Sequence, residues 1–157
     1  MKKFTLSLKT GLYGLLCLIC LSSYGPTEED AVYLQQRLYD HHDMELPGQN
    51  NMKKYELHVT NKGFCRYKRF FNNGKVEYFS FNLLKYKQLD YLGNTLKGIL
   101  YLRTRGDDVI VQTHNDSKGG DVDSMATFMA IPVKNIEAEQ LNDLSEKFRQ
   151  MSEKLRQ

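Results

Sequence analysis

Between Lys53 and Asn82 apolar and polar residues alternate, and this pattern constrains the fold more than any other feature of the chain. Tyr55, Leu57 and Val59 alternate with Lys54, Glu56 and His58, which is the period of two that places one set of side chains on each face of a sheet. Asn61-Lys62-Gly63 marks a turn, and residues 64–71 form a second strand. Asn72-Asn73-Gly74-Lys75 is then the strongest hairpin signal, because Asn-Gly tolerates the positive φ angles of a type I′ turn. Residues 76–82 return as a third strand. Successive strands joined by turns this short pair antiparallel.

The pattern continues downstream. Residues 84–92 are apolar and tyrosine-rich and read as a short strand closed by Gly93-Asn94. Residues 98–104 form a strand, Arg105-Gly106-Asp107-Asp108 a tight turn, and residues 109–114 the returning partner. A polar loop at 115–123 precedes a last strand at 126–133. Helices flank the strands. At 27–42, Thr27 can cap, Glu28, Glu29 and Asp30 suit the positive helix end, and Val32, Leu34, Leu38 and Tyr39 supply the apolar stripe. At 136–156, after an Asn135 cap, Leu141, Leu144, Phe148, Met151 and Leu155 share one face, which suits packing on the chain's own sheet. The expected fold is α+β: six or seven antiparallel strands in a bent sheet or partly open barrel, with a C-terminal amphipathic helix and an extra N-terminal helix laid outside. The domain spans 53–157, preceded by a helix and linker at 24–52.

An order of about seven antiparallel strands ended by one amphipathic helix resembles the pleckstrin-homology-like superfold, over residues 53–157. The resemblance implies a bent barrel whose open end the helix plugs. It also implies a basic ligand site around the first hairpin, where Lys62, Arg66, Lys68 and Arg69 fall. That family usually carries a tryptophan in the C-terminal helix; this chain has none, and Phe148 is the aromatic residue there.

The N-terminus reads as an export signal over 1–23. Met1-Lys2-Lys3 is basic, residues 11–21 are uncharged and apolar, and small residues allow cleavage after Ser22 or Ser23. The apolar run falls short of the roughly 20 residues a membrane span needs. Lipid attachment at Cys20 is the alternative fate of this end. The expected protein is therefore an exported monomer of the periplasm or cell surface, without a transmembrane span once processed. Lys2, Lys3 and Lys9 account for the formal charge of +3, and the remainder is balanced, which argues against nucleic acid as a partner. Cys65 is the one thiol left after cleavage, so no intramolecular disulfide is expected, and its place in a strand suits a buried small hydrophobe.

Charge is segregated along the chain. Residues 53–105 hold twelve Lys plus Arg against Glu56, Glu77 and Asp90, whereas residues 106–146 hold nine acids against Lys118 and Lys134. Aromatic residues crowd the basic part. Lys62, Arg66, Tyr67, Lys68, Arg69 and Phe70 are therefore the candidate binding residues, for a protein, anionic lipid or polysaccharide partner. Asp40-His41-His42-Asp43 has metal-ligand residue types, but adjacent helical residues point about 100° apart, and ligand pairs on a helix stand three or four residues apart. The 115–123 loop lacks the oxygen-ligand spacing of a calcium loop, and Lys118 intrudes. No nucleophile, zinc-protease or phosphate-loop motif is present. The expected function is a non-catalytic binding or interaction module of the cell envelope, without metal or cofactor. An immunity or inhibitor protein that neutralises a toxin or envelope enzyme is the alternative.

Overall fold

A computed structural model describes residues 25–26, 28–45 and 52–157. The expected signal at 1–23, the Thr27 cap and the 46–51 part of the linker lie outside the described residues. Helix α1 (Glu28–His41) is followed by β1 (Met52–Val59), β2 (Phe64–Phe71), β3 (Val76–Asn82), a 3-10 turn (Leu83–Lys85), β4 (Tyr86–Gly93), β5 (Lys97–Thr104), β6 (Val109–His114), β7 (Val122–Ala126), β8 (Phe128–Lys134) and α2 (Ala138–Lys154). The eight strands form two antiparallel sheets, one ordered β1-β2-β3-β6-β7 and one ordered β4-β5-β8. The fold is the expected α+β arrangement with a helix at each end, and neither sheet closes on itself.

Alternation builds the core. Leu57 and Val59 of β1, Cys65 and Tyr67 of β2, and Phe81 of β3 meet Leu100 and Leu102 of β5 and Met129, Ile131 and Val133 of β8 in one continuous cluster. Ala31, Leu34 and Leu38 of α1 and Leu144, Phe148 and Met151 of α2 complete it, so each helix buries one stripe in cis. A Lys154–Asp30 ion pair at 2.7 Å ties α2 to α1. No helix among the described residues is long and apolar enough to cross a membrane.

The β2–β3 hairpin has the expected place but not the expected turn. Within the 72–74 loop only Gly74 has positive φ, at 87°, so the loop is not type I′. Phe71 N–H donates to Lys75 O at 3.0 Å, Gly74 N–H to Phe71 O at 3.1 Å, and Lys75 N–H to the Asn73 side chain at 3.1 Å. The loop therefore carries three residues and ends on a left-handed glycine. Register explains the choice. The longer loop sets Arg69 opposite Glu77, Tyr67 opposite Phe79 and Cys65 opposite Phe81. A two-residue loop on Asn73-Gly74 would slip β3 by one position and set Arg69 against Tyr78, turning Glu77 away from its partner.

Two further expectations are corrected. Strands β5 and β6 are not hairpin partners: β5 pairs with β4 and β8, and β6 with β3 and β7. Thr104 N–H donates to Thr127 O at 2.9 Å and Arg105 N–H to Lys85 O at 3.0 Å, while Asp108 Oδ2 accepts from Gly106 N–H at 3.1 Å. These bonds turn the chain from one sheet into the other instead of back on itself. Val122–Ala126, which spans the end of the expected 115–123 loop and the first residue of the expected last strand, is the additional strand β7 on β6, and Thr127 then carries the chain across to β8.

Helix α2 also starts later than expected. Asn135 adopts φ 51° and does not cap, because Asn135 and Ile136 N–H groups donate to Leu96 O (3.1 Å) and Thr95 O (3.0 Å) of the β4–β5 turn. Glu137 is the cap, and its N–H donates to Gln140 Oε1 at 2.8 Å.

Candidate functional site

Strand β2 divides the six candidate residues between two environments. Phe64, Arg66, Lys68 and Phe70 point outward, and Cys65, Tyr67, Arg69 and Phe71 point inward, as the burial of alternate residues shows. Tyr67 is fully buried and Arg69 is 8% exposed. Lys62 lies exposed in the β1–β2 turn, where its carbonyl accepts from Asn82 Nδ2 at 3.1 Å. The structure thus brings Arg66, Lys68 and Phe70 onto one surface, places Lys62 at its end, and separates Tyr67 and Arg69 from it.

The outer surface interleaves cations and rings. The Arg66 guanidinium carbon stands 5.2 Å from the Phe64 ring centre, and the Lys68 and Lys54 ammonium groups stand 4.9 and 5.2 Å from that of Phe70. Register sets His58 opposite Arg66, Glu56 opposite Lys68 and Lys54 opposite Phe70. Lys54 bonds Glu56 at 2.6 Å. That hydrogen bond holds the Glu56 carboxyl below its ordinary range, and the charges of Lys68 and His58 act in the same direction. Among the described residues Lys62, Arg66 and Lys68 form no ion pair. The acidic later segment meets the basic strands elsewhere, through Lys75–Asp116 at 3.0 Å and Lys85–Asp108 at 3.5 Å. Among the described residues the helices pack chiefly on β1, β4, β8, the 3-10 turn and each other, rather than on β2, β3 or β6. Exposed Ile110 and Met125, paired across β6 and β7, continue the outer surface in apolar form.

The inner side of the same strands carries a polar cluster that sequence inspection did not single out. The Arg69 guanidinium lies 4.6 Å from the Phe79 ring centre and 5.5 Å from that of Tyr67, and pairs with Glu77 at 2.5 Å. Lys75 joins Glu77 (2.9 Å) to Asp116 (3.0 Å). His42, just past α1, stacks on Tyr55 with ring centres 3.6 Å apart, and its Nε2 meets the Tyr67 hydroxyl at 2.8 Å. Burial lowers the His42 pKa to about 4 and pushes the Tyr67 phenol up. His42 is therefore neutral near pH 7, and its tautomer sets whether Nε2 or the Tyr67 hydroxyl is the donor in this bond. The signal for the ion pair was present in the sequence, since Arg69 alternates with Tyr67 and Phe71, but its partner depends on the hairpin register.

The remaining candidate groups serve the fold. His41 Nδ1 lies 3.3 Å from Lys134 O, and Asp43 Oδ1 accepts from Glu45 N–H at 3.1 Å. Asp116 accepts from Lys118 and Gly119 N–H at 3.0 and 3.1 Å. Its carboxyl is held down to about 2, mainly by the hydrogen bond from Lys75. Cys65 is buried, and burial pushes its thiol up. Among the described residues no group of three His, Cys, Asp or Glu is arranged to hold a metal ion. No protein-family model matches the chain, and no curated protein or solved structure matches it.

Proposed function

We propose that this chain is an exported, non-catalytic binding module of the cell envelope that engages an anionic partner through the outer face of β1 and β2. The observation that carries the reading is the set Lys62, Arg66 and Lys68, which have no ion partner among the described residues: Arg66 and Lys68 stand beside Phe64 and Phe70 on the outer face of β2, and Lys62 lies in the turn at its end. Sheet residues with a structural purpose alone would be expected to pair their charges across strands, as Arg69 of β2 and Glu77 of β3 do. Cations over rings present a partner with both charge and flat apolar area, a combination suited to acidic protein surfaces, anionic lipid or polysaccharide. The basic leader and uncharged apolar run at 1–23 support export.

The test compares the full-length protein with an Arg66→Glu/Lys68→Glu variant. Acidic phospholipid vesicles, a sulfated polysaccharide and an envelope extract are each offered at two salt concentrations. The wild type should retain one of the three, less so at high salt, and the variant should lose it. Equal retention of all three by both proteins would remove this face from consideration. Accumulation of the uncleaved chain in cytosol would remove the export part.

A further inference from the structure

A second concave and basic feature lies where β4 leaves the 3-10 turn and the end of α2 passes the β5–β6 connection. A cavity of about 170 Å3 there is lined by four cations, Lys87, Arg105, Arg149 and Arg156, and by one carboxylate, Glu153. Arg149 is already neutralised within α2, at 2.6 Å from both Glu146 and Glu153. Lys87, Arg105 and Arg156 form no ion pair among the described residues. Of the nearby carboxylates, Asp90 is paired with Arg103, and Asp108 with Lys85. Three unpaired cations against the one surplus carboxylate around Arg149 leave the cavity positive.

The rest of the lining is polar and ordered. Ser152 is buried and donates to Leu83 O at 2.7 Å. Arg156 is anchored through Nη2, which donates to Ser152 Oγ at 2.8 Å and to Tyr86 O at 3.2 Å. A guanidinium has five N–H donors, so this anchoring fixes the group without exhausting it. Tyr86 also lines the cavity, and its buried hydroxyl has no hydrogen-bond partner. Burial pushes that phenol up to about 12, opposed by the Ser145 hydroxyl beside it, which does not reach hydrogen-bond geometry. Ser145 does not line the cavity, so the phenol belongs to the core, where its ring stacks near Phe148, and Tyr86 serves the cavity through its carbonyl bond to Arg156. The volume is below the roughly 300 Å3 of pockets that take extended organic ligands, and it corresponds to about five or six water volumes.

We propose that this pocket binds a tetrahedral oxyanion, a phosphate or sulfate group, with Lys87, Arg105 and Arg156 as its cationic ligands. Planar guanidinium forks match such oxygens, and bonds between charged partners are the strong ones. The site is separate from the outer face of β2 and does not depend on the function proposed for that face.

The full-length protein is titrated at low ionic strength with inorganic phosphate, inorganic sulfate and glycerol phosphate, with sodium chloride as the ionic-strength control, and amide chemical shifts are followed. Saturable shifts at residues 86–87, 105 and 152–156, absent with chloride, are expected for at least one of the three anions. Tighter binding of glycerol phosphate than of free phosphate would assign the site to a monoester, and equal affinity would assign it to the free ion. Lys87→Gln and Arg105→Gln, both at exposed positions, should each weaken binding about tenfold, the effect of removing one charge-assisted bond. Arg66→Glu/Lys68→Glu should leave the affinity within about twofold, which separates this site from the outer face. Shifts that match the chloride control, or wild-type affinity in both single variants, would overturn the proposal.

Discussion

At the scale of single residues, the decisive fact is that neighbouring cations of β2 have opposite fates. Arg69 is enclosed by Tyr67, Phe71 and Phe79 and paired with Glu77, whereas Arg66 and Lys68 point to the other face. Removing Glu77 leaves the buried Arg69 charge uncompensated, whereas removing Arg69 leaves Glu77 still paired with Lys75. Glu77→Ala should therefore cost about 3–5 kcal/mol in denaturant unfolding and Arg69→Ala less, while Arg69→Leu/Glu77→Leu recovers much of the Glu77→Ala loss. Arg66→Ala and Lys68→Ala should stay within about 0.5 kcal/mol. His42 gives a pH signature. Its folded pKa, about 4, lies below the ordinary 6.5, so the folded state favours the neutral ring. The resulting stability is fully present above pH 6.5 and declines as pH falls toward about 4, with a slope approaching 1.4 kcal/mol per pH unit from this group. His42→Gln should flatten that part of a stability-against-pH curve, measured by denaturant unfolding between pH 4 and 7.

At the scale of elements, the sequence was informative wherever structure is local. Alternation placed β1, β2 and β3, the 3-and-4 spacing placed α2, and the short turns implied antiparallel pairing. What it did not reveal is set by distant contacts. The exchange of β6 to β3 and of β8 to β5 rests on bonds such as Thr104 N–H to Thr127 O, between residues far apart in the chain. Asn135 has the right composition for a cap and loses that role to the β4–β5 turn. Within the candidate site, alternation alone could have separated Arg66 and Lys68 from Tyr67 and Arg69; the burial of Arg69 became legible only with Glu77 in register. The β4–β5 hairpin supplies a test at this scale. A Cβ on Gly98 would clash with the hydroxyl and ring of Tyr91, and the ring is held there by its hydroxyl's bond to Asn94 O. Gly98→Ala should destabilise by about 1–3 kcal/mol, and adding Tyr91→Ala should recover part of the loss, a coupling that a double-mutant cycle reads directly.

At the scale of the whole molecule, the two sheets and two helices enclose one core and manage their edges unequally. Gln35 and Tyr39 of α1 accept from Val59 and Leu57 N–H at 3.1 and 3.5 Å, so the helix covers the β1 edge. His42 and Asp43 cover the β8 edge, the latter through a 3.0 Å bond from its N–H to Pro132 O. Covered edges resist strand addition, and the proposed partner surface is instead the outer face of β2 and its neighbours. The most direct measurement sets Arg66→Glu/Lys68→Glu beside Arg69→Glu, reading the unfolding midpoint and the capture of envelope partners on the same samples. A wild-type midpoint with lost capture is expected for the first variant, and a collapsed midpoint for the second. Undiminished capture by the first, or a wild-type midpoint for the second, would contradict this reading of β2.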